Sequence, residues 1–176
     1  MSTIRDLLEA AAFAARAHHG QLRKDCATPY VSHVFRVCLV VRDVFGLDDP
    51  RMLITALLHD TIEDTTTDFD DIEARYGAEI ATWVSFLTKD KRLPEKDRER
   101  AYLDRLKDAP WQVKICKLAD IFDNTMDIPH LPADRREHAL LRAEQYFAEL
   151  RALDAPEAAK PIALVAQLLA ETRSAR

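Results

Sequence analysis

Apolar residues in this chain recur at helical spacing from one end to the other, and nowhere do they alternate as a half-buried strand requires. Ile4, Leu7, Leu8, Ala11, Ala12 and Ala15 trace one face of a first helix, with Thr3 and Asp6 placed as a capping pair and Gly20 as a stop. The stretch 21–30 holds Arg23, Lys24, Asp25 and Pro29 without periodicity and reads as an ordered loop. A second helix is expected over 31–45, ending before Gly46; the β-branched Val40, Val41 and Val44 would suit a strand, but length and period favour helix. Asp49 before Pro50 starts a third, striped by Met52, Leu53, Ala56 and Leu57. A polar turn at 61–67, a short helix from Asp68 closed by Gly77, and a helix over 78–87 follow. The charged segment 89–100 is a loop that enters another helix at Pro94. Helices over 110–126, 134–153 and 156–172 complete the chain. With no hairpin turn signals, the fold class is all-α, a helical bundle.

A length of 176 residues leaves room for one core but is short for two catalytic units. A single domain over 1–176 is expected, with 133–176 as C-terminal helices of the same domain. No apolar run reaches the roughly 20 residues that cross a bilayer, and Arg5, Asp6 and Glu9 interrupt any signal peptide, so a cytoplasmic location without membrane contact is expected. Cys26, Cys38 and Cys116 lack metal or redox spacing, and the last two read as core residues. A formal charge of −5 argues against a broad nucleic-acid surface, though a small basic pocket is compatible with it.

His59 and Asp60 stand where an apolar helix gives way to a polar turn, so both can face a cavity. A neutral imidazole and a carboxylate suit first-row divalent metals, and a mononuclear site needs more nitrogen or oxygen donors. His33, near the start of the second helix, and Asp120, inside the apolar stretch 115–122, are candidates. A carboxylate among apolar neighbours needs a partner, because an uncompensated buried charge is strongly destabilising. A metal would serve; so would an ion pair with Lys117 or Lys114, leaving His33 hydrogen-bonded in the core. Lys117, Asp120 and Asn124, at i, i+3 and i+7, share one helix face. Glu63 and Asp64 follow His59 and Asp60 by one turn, where they suit water activation or, alternatively, form an exposed acidic turn. Arg23, Lys24, Lys91 and Lys117 come from three separate segments, and their convergence would surround phosphate groups; singly, each is an ordinary surface cation.

Four segments carry a family resemblance: AHHGQLRK followed by PYVSH over 17–33, ALLHDTIEDT at 56–65, FDDIEARYGAEIATWVSFLTKDKRLP at 69–94, and KLADIFDN at 117–124. In order and spacing they resemble the hydrolase domain of RelA/SpoT-type proteins, most closely the stand-alone small alarmone hydrolases. The resemblance implies an HD-type helical fold holding one divalent ion, usually manganese, through His33, His59, Asp60 and Asp120. It implies that Glu63 and Asp64 are the catalytic pair and that Asn124 supports the nucleotide or the reacting water. It further implies that Arg23, Lys24 and Lys91 line a phosphate pocket, and RAEQYF at 142–147 nominates Tyr146 as a nucleotide contact. The implied reaction removes the 3′-pyrophosphate of guanosine tetra- or pentaphosphate, giving GDP or GTP and pyrophosphate.

Val34 departs from the family's proline after the first histidine, and Met126 stands where an arginine often follows the motif asparagine. The first alters only a helix start; the second removes a cation that bears on affinity or on the nucleotide accepted. Hydrolysis without synthesis is expected, since 176 residues leave no room for a synthetase domain. Another nucleotide, such as NADPH losing its 2′-phosphate, is an alternative substrate, and a non-catalytic nucleotide sensor is an alternative class. The expected partner is a small nucleotide and the expected assembly a homodimer, with the C-terminal helices serving either the core or that interface.

Overall fold

The computed structural model describes residues 3–175. It is a bundle of ten α-helices: α1 (Ile4–Ala17), α2 (Val31–Leu39), α3 (Pro50–Leu58), α4 (Thr61–Asp64), α5 (Phe69–Tyr76), α6 (Ala78–Leu87), α7 (Glu95–Lys107), α8 (Trp111–Asp127), α9 (Ala133–Leu150) and α10 (Ala159–Ser174). The described residues form no strand, and their one isolated bridge joins Leu22 to Pro29 across the 21–30 loop. No described helix is long and apolar enough to cross a membrane.

Local chemistry starts and stops these helices. Thr3 and Asp6 form the reciprocal capping box of α1, with the Asp6 carboxylate 2.7 Å from the Thr3 backbone nitrogen. Asp49 accepts from the Arg51 N–H at 2.9 Å, and Pro50 occupies the first position of α3, where a missing N–H leaves no bond unmade. Gly77, at φ +88°, separates α5 from α6 in a conformation that other residues adopt only under strain.

The structure departs from the sequence reading in two places. The 61–67 segment is not wholly turn: Thr61 Oγ1 donates back to the Leu58 carbonyl at 2.7 Å, and the chain winds one further turn as α4. The second helix widens at its end into a π-helical turn over Val40–Val44, the β-branched run whose side chains fit the α-helix least well.

The long helix α8 packs against α2, α3, α6, α9 and α10, so its apolar side, including Val113, Ile115, Leu118 and Ala119, lies in the core. Every residue of α3 from Met52 to Leu58 is buried. α1 covers α3, and α7 bridges α6 and α9. The C-terminal α10 lays Val165 and Leu169 against α8 and α9 and so serves the core.

Ile54 in α3 is fully buried, so Ile54→Ala is expected to destabilise the protein by about 2–5 kcal/mol in equilibrium urea unfolding. Leu8, 66% exposed on α1, is the control, and Leu8→Ala should change stability by no more than about 0.5 kcal/mol. Equal effects at the two sites would contradict the central place of α3.

Candidate metal centre and cleft

Three elements bring His33, His59, Asp60 and Asp120 together. His33 lies in the first turn of α2, His59 caps α3, Asp60 joins α3 to α4, and Asp120 lies within α8. His59 Nε2 is 3.0 Å from Asp60 Oδ2 and 3.9 Å from Asp120 Oδ1, and His33 Nε2 is 3.6 Å and 3.2 Å from the same two oxygens. His33, His59 and Asp60 each offer a ligand atom within 4.8 Å of the others.

The imidazole tautomers follow from the groups behind them. His59 Nδ1 lies 2.8 Å from the Ala56 carbonyl, which only accepts, so that nitrogen carries the proton. His33 Nδ1 lies 2.6 Å from Asp123 Oδ2 and donates in the same way. Both Nε2 lone pairs therefore face carboxylate oxygens, and His59 Nε2 is buried without a hydrogen-bond partner. Such an arrangement repels itself unless positive charge sits among the four atoms. Without an ion, a proton on His59 Nε2 supplies that charge: burial disfavours it, yet Asp60 and Asp120 outweigh burial and raise the pKa to about 9, so a metal ion would bind in place of that proton. Burial likewise opposes the Asp120 carboxylate, but Lys117 and then His33 hold its pKa well below the usual range. Imidazole nitrogen and carboxylate oxygen are the donors that a single first-row divalent ion takes, so the residues fit one.

A second layer, absent from the sequence reading, holds this cluster. Asp123 is 1% exposed and receives Arg36 through Nε at 2.6 Å and Nη2 at 2.9 Å. Arg36 also donates to Asp127, which receives Arg23 from the 21–30 loop at 2.7 Å. Tyr30 donates its hydroxyl to Asp60 at 2.5 Å, and burial followed by the Asp60 charge raises its pKa, keeping it a donor. One sequence signal could have found Asp123: it stands on α8 one turn after Asp120, directly after the apolar Ile121 and Phe122, and a carboxylate drawn toward the core there needs a partner.

The cluster opens into a cleft of about 630 Å³. Glu63 and Asp64 line it; Glu63 accepts the Lys89 backbone N–H at 2.9 Å, and Asp64 pairs with Lys91. Burial pushes the Glu63 carboxyl above its ordinary pKa, so it is no exposed turn residue. Arg23, Lys24, Lys117, Asn124 and Tyr146 line the same cleft; Lys91 lies outside its lining and reaches it through Asp64. Lys117 is buried, donates to Asp120 at 2.7 Å and sits 4.5 Å from the Tyr146 ring centroid. The ion pair weighed for Asp120 thus exists alongside its contacts with the histidines. Asn124 donates to Asp120 and accepts from Arg23 at 3.0 Å. Val34 is fully buried in the core, and Met126 is 52% exposed and outside the cleft lining.

The profile of the HD-domain family matches residues 10–154. The chain is an HD-domain protein. Among its relatives, the human guanosine-3′,5′-bis(diphosphate) 3′-pyrophosphohydrolase MESH1 is 39% identical over 148 residues, which span 83% of this chain and 81% of that one. The Drosophila melanogaster MESH1 is 34% identical over 142 residues, 80% and 78% of the two chains. A solved structure of a metazoan SpoT orthologue, described as hydrolysing ppGpp and playing a role in starvation responses, superposes with a TM-score of 0.86 at 28% identity over 97% of both chains. A Listeria monocytogenes protein shares the fold, with a TM-score of 0.64 at 23% identity over 80% of this HD-domain chain and 93% of its own.

Asp123 fixes the orientation of the His33 ring through Nδ1, so its removal should weaken metal binding at the candidate centre without touching the metal itself. In Asp123→Asn, affinity for manganese measured by calorimetry on chelator-stripped protein is expected to fall about 10- to 100-fold. Unchanged affinity in the folded variant would show that Asp123 has no part in the metal site.

Proposed function

We propose that this HD-domain protein is a manganese-dependent hydrolase that removes the 3′-pyrophosphate of guanosine tetra- and pentaphosphate, releasing pyrophosphate and GDP or GTP. The observation that carries the reading is the buried donor set of His33, His59, Asp60 and Asp120 beside Glu63 and Asp64 in one cleft, in a chain 39% identical to human MESH1. A divalent ion held by the four donors supplies Lewis-acid polarisation of a phosphoryl oxygen and lowers the pKa of a neighbouring water.

The chain's own residues do the rest. Glu63, with one carboxylate oxygen fixed by the Lys89 N–H, orients the attacking water and takes its proton, and Asp64 assists from the next position. Water adds to phosphorus as the bond to the ribose 3′-oxygen breaks, and that oxygen leaves as a hydroxyl with the proton that Glu63 took from the water, returned directly or through solvent, which restores the carboxylate. Arg23 and Lys24 bind phosphate oxygens from the cleft lining, Lys91 adds its charge from outside that lining beside Asp64, and with Lys117 behind the donor set they stabilise the charge that develops. Asn124 braces Asp120 and Arg23 from α8, and Tyr146 offers its ring to the nucleotide. The net charge of −5 and a cleft of this size support a small nucleotide as substrate, in preference to nucleic acid or a membrane surface.

Pyrophosphate release from guanosine tetraphosphate is expected with manganese and should vanish with EDTA or in Asp60→Ala. In Glu63→Gln, kcat should fall roughly 10²- to 10⁴-fold. Parallel incubations with NADPH and nucleoside monophosphates set the specificity. Binding of manganese with no pyrophosphate released would overturn the substrate assignment, and phosphate release from NADPH alone would replace it with the 2′-phosphate.

A further inference from the structure

Next to the proposed catalytic pair stands a cluster of which the reaction above uses only the Lys89 backbone N–H and the Tyr146 ring, leaving the Lys89 ammonium and Glu99 without a task. Lys89 begins the 88–94 loop between α6 and α7 and is held at two points. Its backbone N–H donates to Glu63 Oε2 at 2.9 Å. Its ammonium donates to Glu99 Oε1 on α7 at 3.0 Å and to the Tyr146 hydroxyl on α9 at 2.6 Å. The Tyr146 hydroxyl in turn donates to the other Glu99 oxygen, which closes a triangle of charge-assisted bonds.

Two aromatic rings wall this triangle. The Lys89 ammonium lies 5.2 Å from the Tyr102 ring centroid and 5.0 Å from that of Tyr146. The Lys89 and Glu99 side chains are only 14% and 20% exposed. Burial works against the Glu99 carboxylate, but the bonds from Tyr146 and Lys89 keep its pKa below the ordinary value. Burial and the nearby Lys117 lower the pKa of Lys89, and the bond and charge of Glu99 work against that shift. The Thr88 carbonyl also accepts from Arg105 of α7, so the backbone entering Lys89 is tied to the same helix.

We propose that the Lys89–Glu99 ion pair is a positioning device, which holds the Lys89 backbone N–H where it fixes the Glu63 carboxylate for the hydrolytic step. The inference rests on the proposed role of Glu63. With one Glu63 oxygen held, the other is left to a water, and the aim of that oxygen depends on where Lys89 sits. Glu99 does this without touching the reacting atoms. Neutralising it would leave a buried ammonium beside Lys117 with weaker compensation, and the start of the loop would shift. A displacement near 1 Å in a reacting group is enough to slow a reaction about 100-fold.

The test is a double-mutant cycle. Glu99→Gln and Lys89→Met, which retains the backbone N–H, are each made in the native protein and in Glu63→Gln. In the native background kcat should fall roughly 10- to 100-fold with KM and manganese affinity unchanged. In Glu63→Gln the same substitutions should have little further effect, because the group they act through has gone. Equal losses in both backgrounds would mark a structural role, and a raised KM with kcat retained would make Lys89 a substrate-binding cation; either overturns the proposal. Amide hydrogen exchange at Lys89 gives a readout free of turnover: it should accelerate in Glu99→Gln, and unchanged exchange would also overturn the proposal. If guanosine tetraphosphate is not hydrolysed by the native protein, the substrate assignment fails, and the cycle is run on the nucleotide that is.

Discussion

Four electron-rich atoms, the Nε2 atoms of His33 and His59 and an oxygen each from Asp60 and Asp120, face one another inside this bundle, and their mutual repulsion is the constraint around which the rest is arranged. In a low-dielectric interior such a cluster persists only if the outward lone pairs are bonded and the inward ones share a cation. The outward side is met by Tyr30, Lys117 and Asn124 on the carboxylates, and by Asp123 and the Ala56 carbonyl on the imidazoles. Lys117, Arg36 and Arg23 pair with Asp120, Asp123 and Asp127, while Asp60 faces the two histidines and Tyr30.

Holding these groups in register is the work of the apolar core. α3 is buried along its length, which leaves its end, carrying His59 and Asp60, little freedom to move. α8 presents core residues on one side and the charged set on the other, so packing and site geometry are fixed by the same backbone. The loops that cover the cleft are secured differently: Arg23 ties 21–30 to Asp127 and Asn124, and the 88–94 loop is pinned through Lys89 and Thr88. Helices α2, α3 and α8, with the junction after α3, supply the donor set, and the tethered loops supply Arg23, Lys24 and Lys91.

Helical periodicity made most of the fold legible, and caps such as Thr3 with Asp6 and Asp49 with Pro50 are written within a single turn of sequence. The one-turn α4 was not legible, since it rests on a back-bond from Thr61 to Leu58 that propensity does not encode. Motif spacing nominated His33, His59, Asp60 and Asp120, and the fold brings them together. Asp123, Arg36, Asp127 and Tyr30 escaped notice because each acts through a partner distant in sequence, as Arg36 does on Asp123. Lys89 was hidden differently: in a run of charges it looks like a solvated loop residue, and only the tertiary approach of Glu99 and Tyr146 distinguishes it from Arg92 nearby.

Lys117, Asp120, Asp123, Asn124 and Asp127 all project from α8, a single uninterrupted helix. A helix is a ruler with a screw thread: each residue advances about 1.5 Å and turns about 100°. Gaining or losing one residue between Lys117 and Asp127 would turn the groups beyond it away from the histidines and carry them into the apolar side of the bundle. Along this stretch the lineage can therefore drift in residue identity but hardly in length. The 21–30 and 88–94 loops are tied to the bundle at separate points such as Arg23, Lys89 and Lys91, so lengths can change between those ties, and with them the shape of what the cleft admits.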